Sequence, residues 1–139
     1  MKALDSDVLT DFLQGDAGVV GRMAAIPQAE RFLPVVVIGE AVRGRLNVIR
    51  QAEAGKGRID PPRAFELFEL TLKATAAFNV LSYSAAAETE FARLKGLKIR
   101  IGSNDLRIAA IAIAHNATLV TGNARDFTLV PGLLLEVWN

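Results

Sequence analysis

The sequence has no cysteine, a single histidine and a single tryptophan in 139 residues. Without thiols there is no disulfide scaffold, thiolate zinc site, iron–sulfur cluster or cysteine nucleophile. With His115 alone, a histidine-rich metal site is excluded and a Ser–His–Asp triad has only one candidate base. No apolar run approaches the ~20 residues of a membrane span. Asp5, Asp7 and Asp11 stand where a signal peptide would be apolar. These absences predict a cytoplasmic protein without a membrane partner, whose chemistry rests on carboxylates. Hydrophobic residues make up 51% and charged residues 22%, enough to fill one core. The expected organisation is a single domain over residues 1–139.

A net charge of +1 conceals segregation along the chain. The first sixteen positions carry Asp5, Asp7, Asp11 and Asp16 against Lys2. Basic stretches follow at Arg43, Arg45, Arg50, Lys56, Arg58 and Arg63, and again at Arg93, Lys95, Lys98, Arg100 and Arg107. An acidic knot flanked by basic segments suits a metal-bound centre that receives a polyanion. Scattered solvated cations are the plainer explanation from composition alone.

Hydrophobic spacing gives the elements. Lys2–Asp5 is a short strand stopped at Asp5-Ser6-Asp7, whose side chains are helix caps. Val8, Leu9, Phe12 and Leu13 then recur at helical spacing up to Gln14-Gly15, and a second short helix fits Ala17–Ile26. Phe32–Ile38 is β-branched and unbroken, which predicts a doubly buried strand with Glu40 just beyond it. A helix through Val42, Leu46 and Ile49 runs to the loop Ala54-Gly55-Lys56-Gly57. Asp60-Pro61-Pro62 opens a helix that would carry Phe65, Phe68, Leu72 and Ala76 on one stripe. Asn79-Val80-Leu81 is a strand, and Ser84 caps a helix through about Leu94. The loop Ile101–Asn104 opens a helix over Asp105–His115 that is apolar nearly all round and so buried. Ala117–Thr121 is a strand, Gly122-Asn123 a turn, and Leu133–Val137 the final strand. Strands alternating with helices predict a mostly parallel sheet covered on both faces.

The acids fall where strands meet loops or helices begin: Asp5, Glu40, Asp105, and, after the strand at 117–121, Asn123 and Asp126. In a parallel sheet such ends converge beyond the carboxyl edge. Taken singly, capping or the helix dipole accounts for each residue. Gathered together, carboxylates repel unless a cation neutralises them, and an oxygen-only donor set selects Mg²⁺ or Mn²⁺. Other groups carry less. His115 closes the buried helix, where a basic residue suits the dipole. Gly15-Asp16-Ala17-Gly18 follows no strand and makes a poor phosphate loop. Phe65, Phe68, Phe78 and Phe91 have core spacing rather than the arrangement of a base-stacking platform.

Four blocks, in order, match a known family. They are Ala3-Leu4-Asp5-Ser6-Asp7-Val8-Leu9, Val37-Ile38-Gly39-Glu40-Ala41-Val42-Arg43-Gly44, Ile101-Gly102-Ser103-Asn104-Asp105-Leu106-Arg107-Ile108-Ala109-Ala110, and Leu119-Val120-Thr121-Gly122-Asn123-Ala124-Arg125-Asp126-Phe127. With them the chain resembles the PIN-domain ribonucleases, and within these the small VapC-type toxins of bacterial toxin–antitoxin pairs. The resemblance implies a three-layer α/β/α sandwich with a mostly parallel central sheet. It also implies an endoribonuclease that uses Mg²⁺ or Mn²⁺ to activate water, leaving a 5′-phosphate and a 3′-hydroxyl. Asp5, Glu40 and Asp105 match the family's acidic metal-site residues. Asn123 falls where many relatives carry a fourth acid, Asp126 is the Asp of the terminal Asp-Phe pair, and Asp7 replaces a common Asn or Ser. Asn123, Asp126, Asp7 or water is left as the fourth ligand. Arg43 and Arg45 would position the RNA backbone without reading its sequence. Relatives form homodimers and are blocked by an antitoxin segment laid across the active-site groove.

Two other classes compete. Leu4-Asp5-Ser6-Asp7-Val8-Leu9-Thr10 also looks like the Asp-x-Asp nucleophile motif of haloacid-dehalogenase-type phosphatases. That chemistry needs a later acidic pair, whereas Asp105 and Asp126 are isolated. A non-catalytic RNA- or protein-binding PIN module is the second, although a dead site has no reason to retain repelling carboxylates.

Overall fold

Asp5 ends the first strand and caps the first helix in one step, so β1 (Lys2–Leu4) passes directly into α1 (Ser6–Leu13). The computed structural model describes all 139 residues. After α1 come α2 (Ala17–Ala24), a 3₁₀ turn at Gln28–Glu30, β2 (Arg31–Pro34), α3 (Val35–Glu53) and α4 (Pro61–Thr75). The second half contains β3 (Asn79–Leu81), α5 (Ala85–Gly96), α6 (Ser103–Ala114), β4 (Thr118–Thr121), α7 (Ala124–Phe127) and β5 (Leu134–Val137).

The five strands form one sheet in the order β3-β2-β1-β4-β5. Every neighbouring pair is parallel, so the sheet is wholly rather than mostly parallel. Helical connections cover it to give the expected α/β/α sandwich. The chain winds outward from β1 to β3 and returns on the other side of β1 as β4. The order therefore reverses between β1 and β4, where open parallel sheets form a crevice beyond their carboxyl ends. Leu4, Leu33, Leu119 and Val120 are fully buried on the strands, as are Ile108 to Ala112 along α6. No helix is long and apolar enough to cross a membrane.

Two sequence expectations are overturned. The run Phe32–Ile38 is not one strand: β2 stops at Pro34, and Val35 opens the nineteen-residue α3. Pro34 has no N–H to extend a ladder, and its φ of −56° and ψ of 137° set it as the cap before the first turn. β3 offers partners only as far as Leu81, opposite Pro34. Beyond that register, helix formation satisfies the backbone, and burying Val37 outweighs the modest helix cost of β-branching. Glu40 consequently lies within a helix, one turn after Val37, and not just past a strand.

The second correction concerns α4. Phe65 and Leu72, expected in the core, are 50% and 45% exposed. Ala64, Thr71 and Thr75 are buried instead, and with half-buried Phe68 they make the stripe at 64, 68, 71 and 75 that faces inward. Ile49, Ala52 and Ala64 form a small satellite core between α3 and α4, flanked by Val48, Ile59 and Phe68.

Candidate functional site

The crevice between β1 and β4 collects the predicted acids. Asp5 is 5% exposed, at the end of β1. Its Oδ1 accepts from the Ser6 backbone N–H at 2.7 Å, and its Oδ2 accepts from Thr121 Oγ1 at 2.7 Å. Burial is the main cause that pushes its carboxyl up to about 7. The Thr121 hydrogen bond opposes the rise, and the charges of Asp7 and Asp105 add to it.

Helix α3 carries Glu40 to the same place. Glu40 Oε2 accepts from Ser6 Oγ at 3.1 Å. Its Oε1 is buried and has no hydrogen-bond partner. Burial raises the Glu40 carboxyl first; the Ser6 bond lowers it, Asp105 raises it further and Arg43 pulls it back. Asp105 stands in the first turn of α6, half-buried. A helix N-terminus alone would favour its charge. Its carboxyl is nevertheless raised, by burial and then by Asp126 and Asp7. Asp5, Glu40 and Asp105 thus lie within one another's electrostatic field, together with Asp7 and Asp126.

Asn123 and Asp126 are brought to the rim as a pair. Asn123 caps α7, its Nδ2 donates to Asp126 Oδ2 at 3.1 Å, and its Oδ1 accepts from the Asp126 N–H at 3.3 Å. Asp7 is engaged in clipping two segments together. Its Oδ1 accepts from the Val8 N–H at 2.7 Å and its Oδ2 from the Gly122 N–H at 3.0 Å. A Cβ at Gly122 would lie 2.8 Å from Asp7 Oδ2 and 3.3 Å from the Trp138 carbonyl, so any larger residue there must displace the Asp7 carboxylate.

Two supporting residues escaped the sequence reading. Thr121 is fully buried; it donates to Asp5 and accepts from the Asn123 N–H at 2.9 Å, tying β1 to the β4–α7 turn. The signal for it was a lone hydroxyl ending the apolar strand Leu119-Val120. Ser6 was read only as a cap, yet its hydroxyl holds Glu40.

The flanking cations divide. Arg43 is exposed on α3 within the field of Glu40. Arg45 is half-buried, with Nε donating to Thr71 Oγ1 at 2.9 Å. Of the second basic stretch, Arg107 and Lys95 lie over the Phe91 ring, and Arg93 pairs with Glu90. Those groups are committed to packing on α5 and α6. His115 caps the end of α6 with Nε2 3.0 Å from the Ser82 carbonyl, in the helix-terminal role expected of it.

As the side chains stand, no three carboxylates converge at coordination distance. Asp5, Glu40 and Asp7 are oriented by donors within the chain, namely Thr121 and Ser6 on Asp5, Ser6 on Glu40, and Gly122 on Asp7. The donor chemistry still suits a hard cation, because the groups are all oxygen, at least half-buried at Asp5, Glu40 and Asp105, and one buried oxygen of Glu40 is unsatisfied.

Comparison with known proteins gives the family. The PIN domain sequence model matches residues 2–133. The chain belongs to the PIN-domain family. A segment of 39 residues in this PIN domain is 59% identical to Ribonuclease VapC2 of Rickettsia felis, covering 28% of the chain and 29% of that relative. The fold is shared with solved structures at low identity. VapBC2 from Rickettsia felis, bound to a DNA fragment from its promoter, gives a TM-score of 0.76 at 21% identity, over 99% of this PIN domain and 98% of that chain. FitAcB from Neisseria gonorrhoeae gives 0.79 at 18% identity, over 97% and 96%. DNA-bound VapBC from Salmonella typhimurium gives 0.78 at 18% identity, over 99% and 98%.

Proposed function

We propose that this PIN domain, a single domain over residues 1–139, is a divalent-metal-dependent endoribonuclease acting as the toxin of a toxin–antitoxin pair. The observation that carries this reading is the gathering of buried Asp5 with half-buried Glu40 and Asp105 at the strand-order reversal, each carboxyl raised chiefly by burial. The ribonuclease name of the relative and the toxin–antitoxin complexes among its structural neighbours support the same activity and a cognate antitoxin.

In this reading Asp5, Glu40 and Asp105 hold Mg²⁺ or Mn²⁺, and the pair Asn123–Asp126 completes the rim. The bound ion supplies charge neutralisation at the phosphate and a water of lowered pKa. Thr121 and Ser6 hold the carboxylates of Asp5 and Glu40 in place, and Arg43 positions the RNA backbone beside them. The phosphatase alternative needs a later acidic pair, whereas Asp105 and Asp126 stand isolated in the chain. For assembly, the exposed Phe65 and Leu72 on α4 fit pairing with a second copy, which light scattering with Phe65→Glu would test.

The direct test is cleavage of total RNA by purified protein in Mn²⁺, Mg²⁺ or EDTA, with Asp105→Asn alongside. Discrete metal-dependent fragments, reduced at least ~100-fold in the folded variant, are expected. Full activity in that variant refutes the site. Metal binding without turnover on any RNA favours the binding-module reading.

A further inference from the structure

The cavity beside the acids has a shape and lining that the proposed chemistry leaves unused. It lies between α1, α3 and α4 and has a volume of about 350 Å³. This falls within the range of small-molecule sites. Its walls follow helix periodicity. Leu9 and Leu13 are one turn apart on α1, and Val37 and Ala41 one turn apart on α3; buried Leu9 and Val37 form the floor, and half-buried Leu13 and Ala41 the apolar edges. At its inner end it reaches Ser6 and Glu40, joined by the 3.1 Å hydrogen bond, and so opens directly onto the acid site. At its outer end is Gln14, about 12 Å along α1 from Ser6 at the helical rise.

The polar groups of this cavity are free or aimed. Gln14 is exposed, and neither its amide nor the Thr10 hydroxyl has a partner within the molecule. Together they offer donors and acceptors for a base edge. Arg45 is fixed by its bond to Thr71, itself bonded to the Leu67 carbonyl at 2.9 Å, and no carboxylate pairs with it. An oriented, unpaired guanidinium favours an anionic ligand. Apolar faces, an unused amide at the rim and a cation beside a phosphate-cleaving site together describe a nucleotide. They describe an apolar peptide side chain less well, since that would leave the Arg45 guanidinium without an anion.

We propose that this cavity holds the base of a nucleotide flanking the scissile phosphate, with Gln14 reading its edge and Arg45 facing its phosphate. The proposal rests on the nuclease reading and adds base selection to a site otherwise blind to sequence. Gly44 gives a clean way to test it. It lies on α3 in the cavity wall, and a Cβ there meets nothing within 4 Å. Gly44→Leu therefore adds a side chain to the cavity wall, one helical turn from Glu40, and it replaces glycine with a better helix former.

The test titrates the four nucleoside 5′-monophosphates in EDTA against protein with labelled methyl groups, following Leu9, Leu13 and Val37 by NMR. One base is expected to shift these methyls saturably. Gly44→Leu should abolish the shifts, and Gln14→Leu should weaken the preferred nucleotide by about tenfold while leaving the others unchanged. Sequencing of cleaved ends from a randomised RNA with Mn²⁺ should show enrichment of the same base beside the cut, flattened in both variants. Methyls silent to all four nucleotides, or equally responsive in Gly44→Leu, overturn the proposal and leave the cavity to a protein segment. Base-selective binding without RNA cleavage in any metal overturns the nuclease reading alone.

Discussion

At the scale of single residues, the site is governed by how donors are distributed over a surplus of acid. Asp5 has both oxygens occupied and is still raised to about 7, because burial outweighs two hydrogen bonds. Thr121 is then more than a β-branched strand residue. Thr121→Val keeps shape and burial but removes the donor to Asp5 and the acceptor for Asn123. It is expected to weaken Mn²⁺ affinity about 10-fold or more, as loss of an outer-shell partner does, while costing about 1–3 kcal/mol of stability. Isothermal titration with Mn²⁺ and a denaturant melt separate the two effects. Gly122→Ala should also weaken the link between α1 and the β4–α7 turn, since its Cβ meets Asp7 Oδ2 at 2.8 Å and displaces that carboxylate from the Gly122 N–H. Unchanged metal affinity in both variants would mean that these contacts are packing only.

At the scale of elements, part of the site was legible in the sequence and part was not, for identifiable reasons. Strand ends marked by Asp5 and Asn123 were readable because a short apolar run followed by a capping residue has one common interpretation. The seat of Glu40 was not. Val35-Val36-Val37-Ile38 is compatible with a buried strand and with the first turn of a helix, and the decision lay in how far β3 extends opposite β2. The link from Thr121 to Asp5 joins residues 116 apart and has no local signature. In α4, apolar residues occupy two adjacent stripes, and periodicity alone cannot say which one α3 covers. The consequence for α3 and α4 is a hairpin with its own small core, distinct from the 26-residue main cluster. Ile49→Ala, at a 6% exposed position, should cost about 2–4 kcal/mol locally. Hydrogen exchange should speed up around residues 49–64 while β1 and β4 stay protected; loss of protection throughout would show that the hairpin and the sheet open as one unit.

At the scale of the whole molecule, gathering acids for function works against folding. Asp5, Glu40 and Asp105 all have carboxyls raised above their ordinary values, with burial the leading cause in each. A raised carboxyl binds its proton more tightly in the folded chain than in the unfolded one. Its stabilising contribution is complete below the ordinary value of 3.8 for Asp5 and is lost as pH rises towards about 7. The metal-free protein should therefore be less stable at pH 8 than at pH 5, by an amount on the order of a few kcal/mol. That corresponds to a melting temperature about 5–10 °C lower. Asp5→Asn removes the largest of these penalties and should melt higher than the wild-type chain at pH 8, with the gap closing towards pH 5. A divalent cation that binds the charged carboxylates stabilises the fold by mass action, so Mn²⁺ should raise the wild-type melting temperature more at pH 8 than at pH 5 and leave Asp5→Asn little changed. Calorimetry across that range, with and without Mn²⁺, reads both effects in one series. A metal-free stability that rises from pH 5 to pH 8 in the wild type but not in Asp5→Asn would mean that Asp5 is ionised and satisfied without a cation, and that the carboxylates do not form a metal centre.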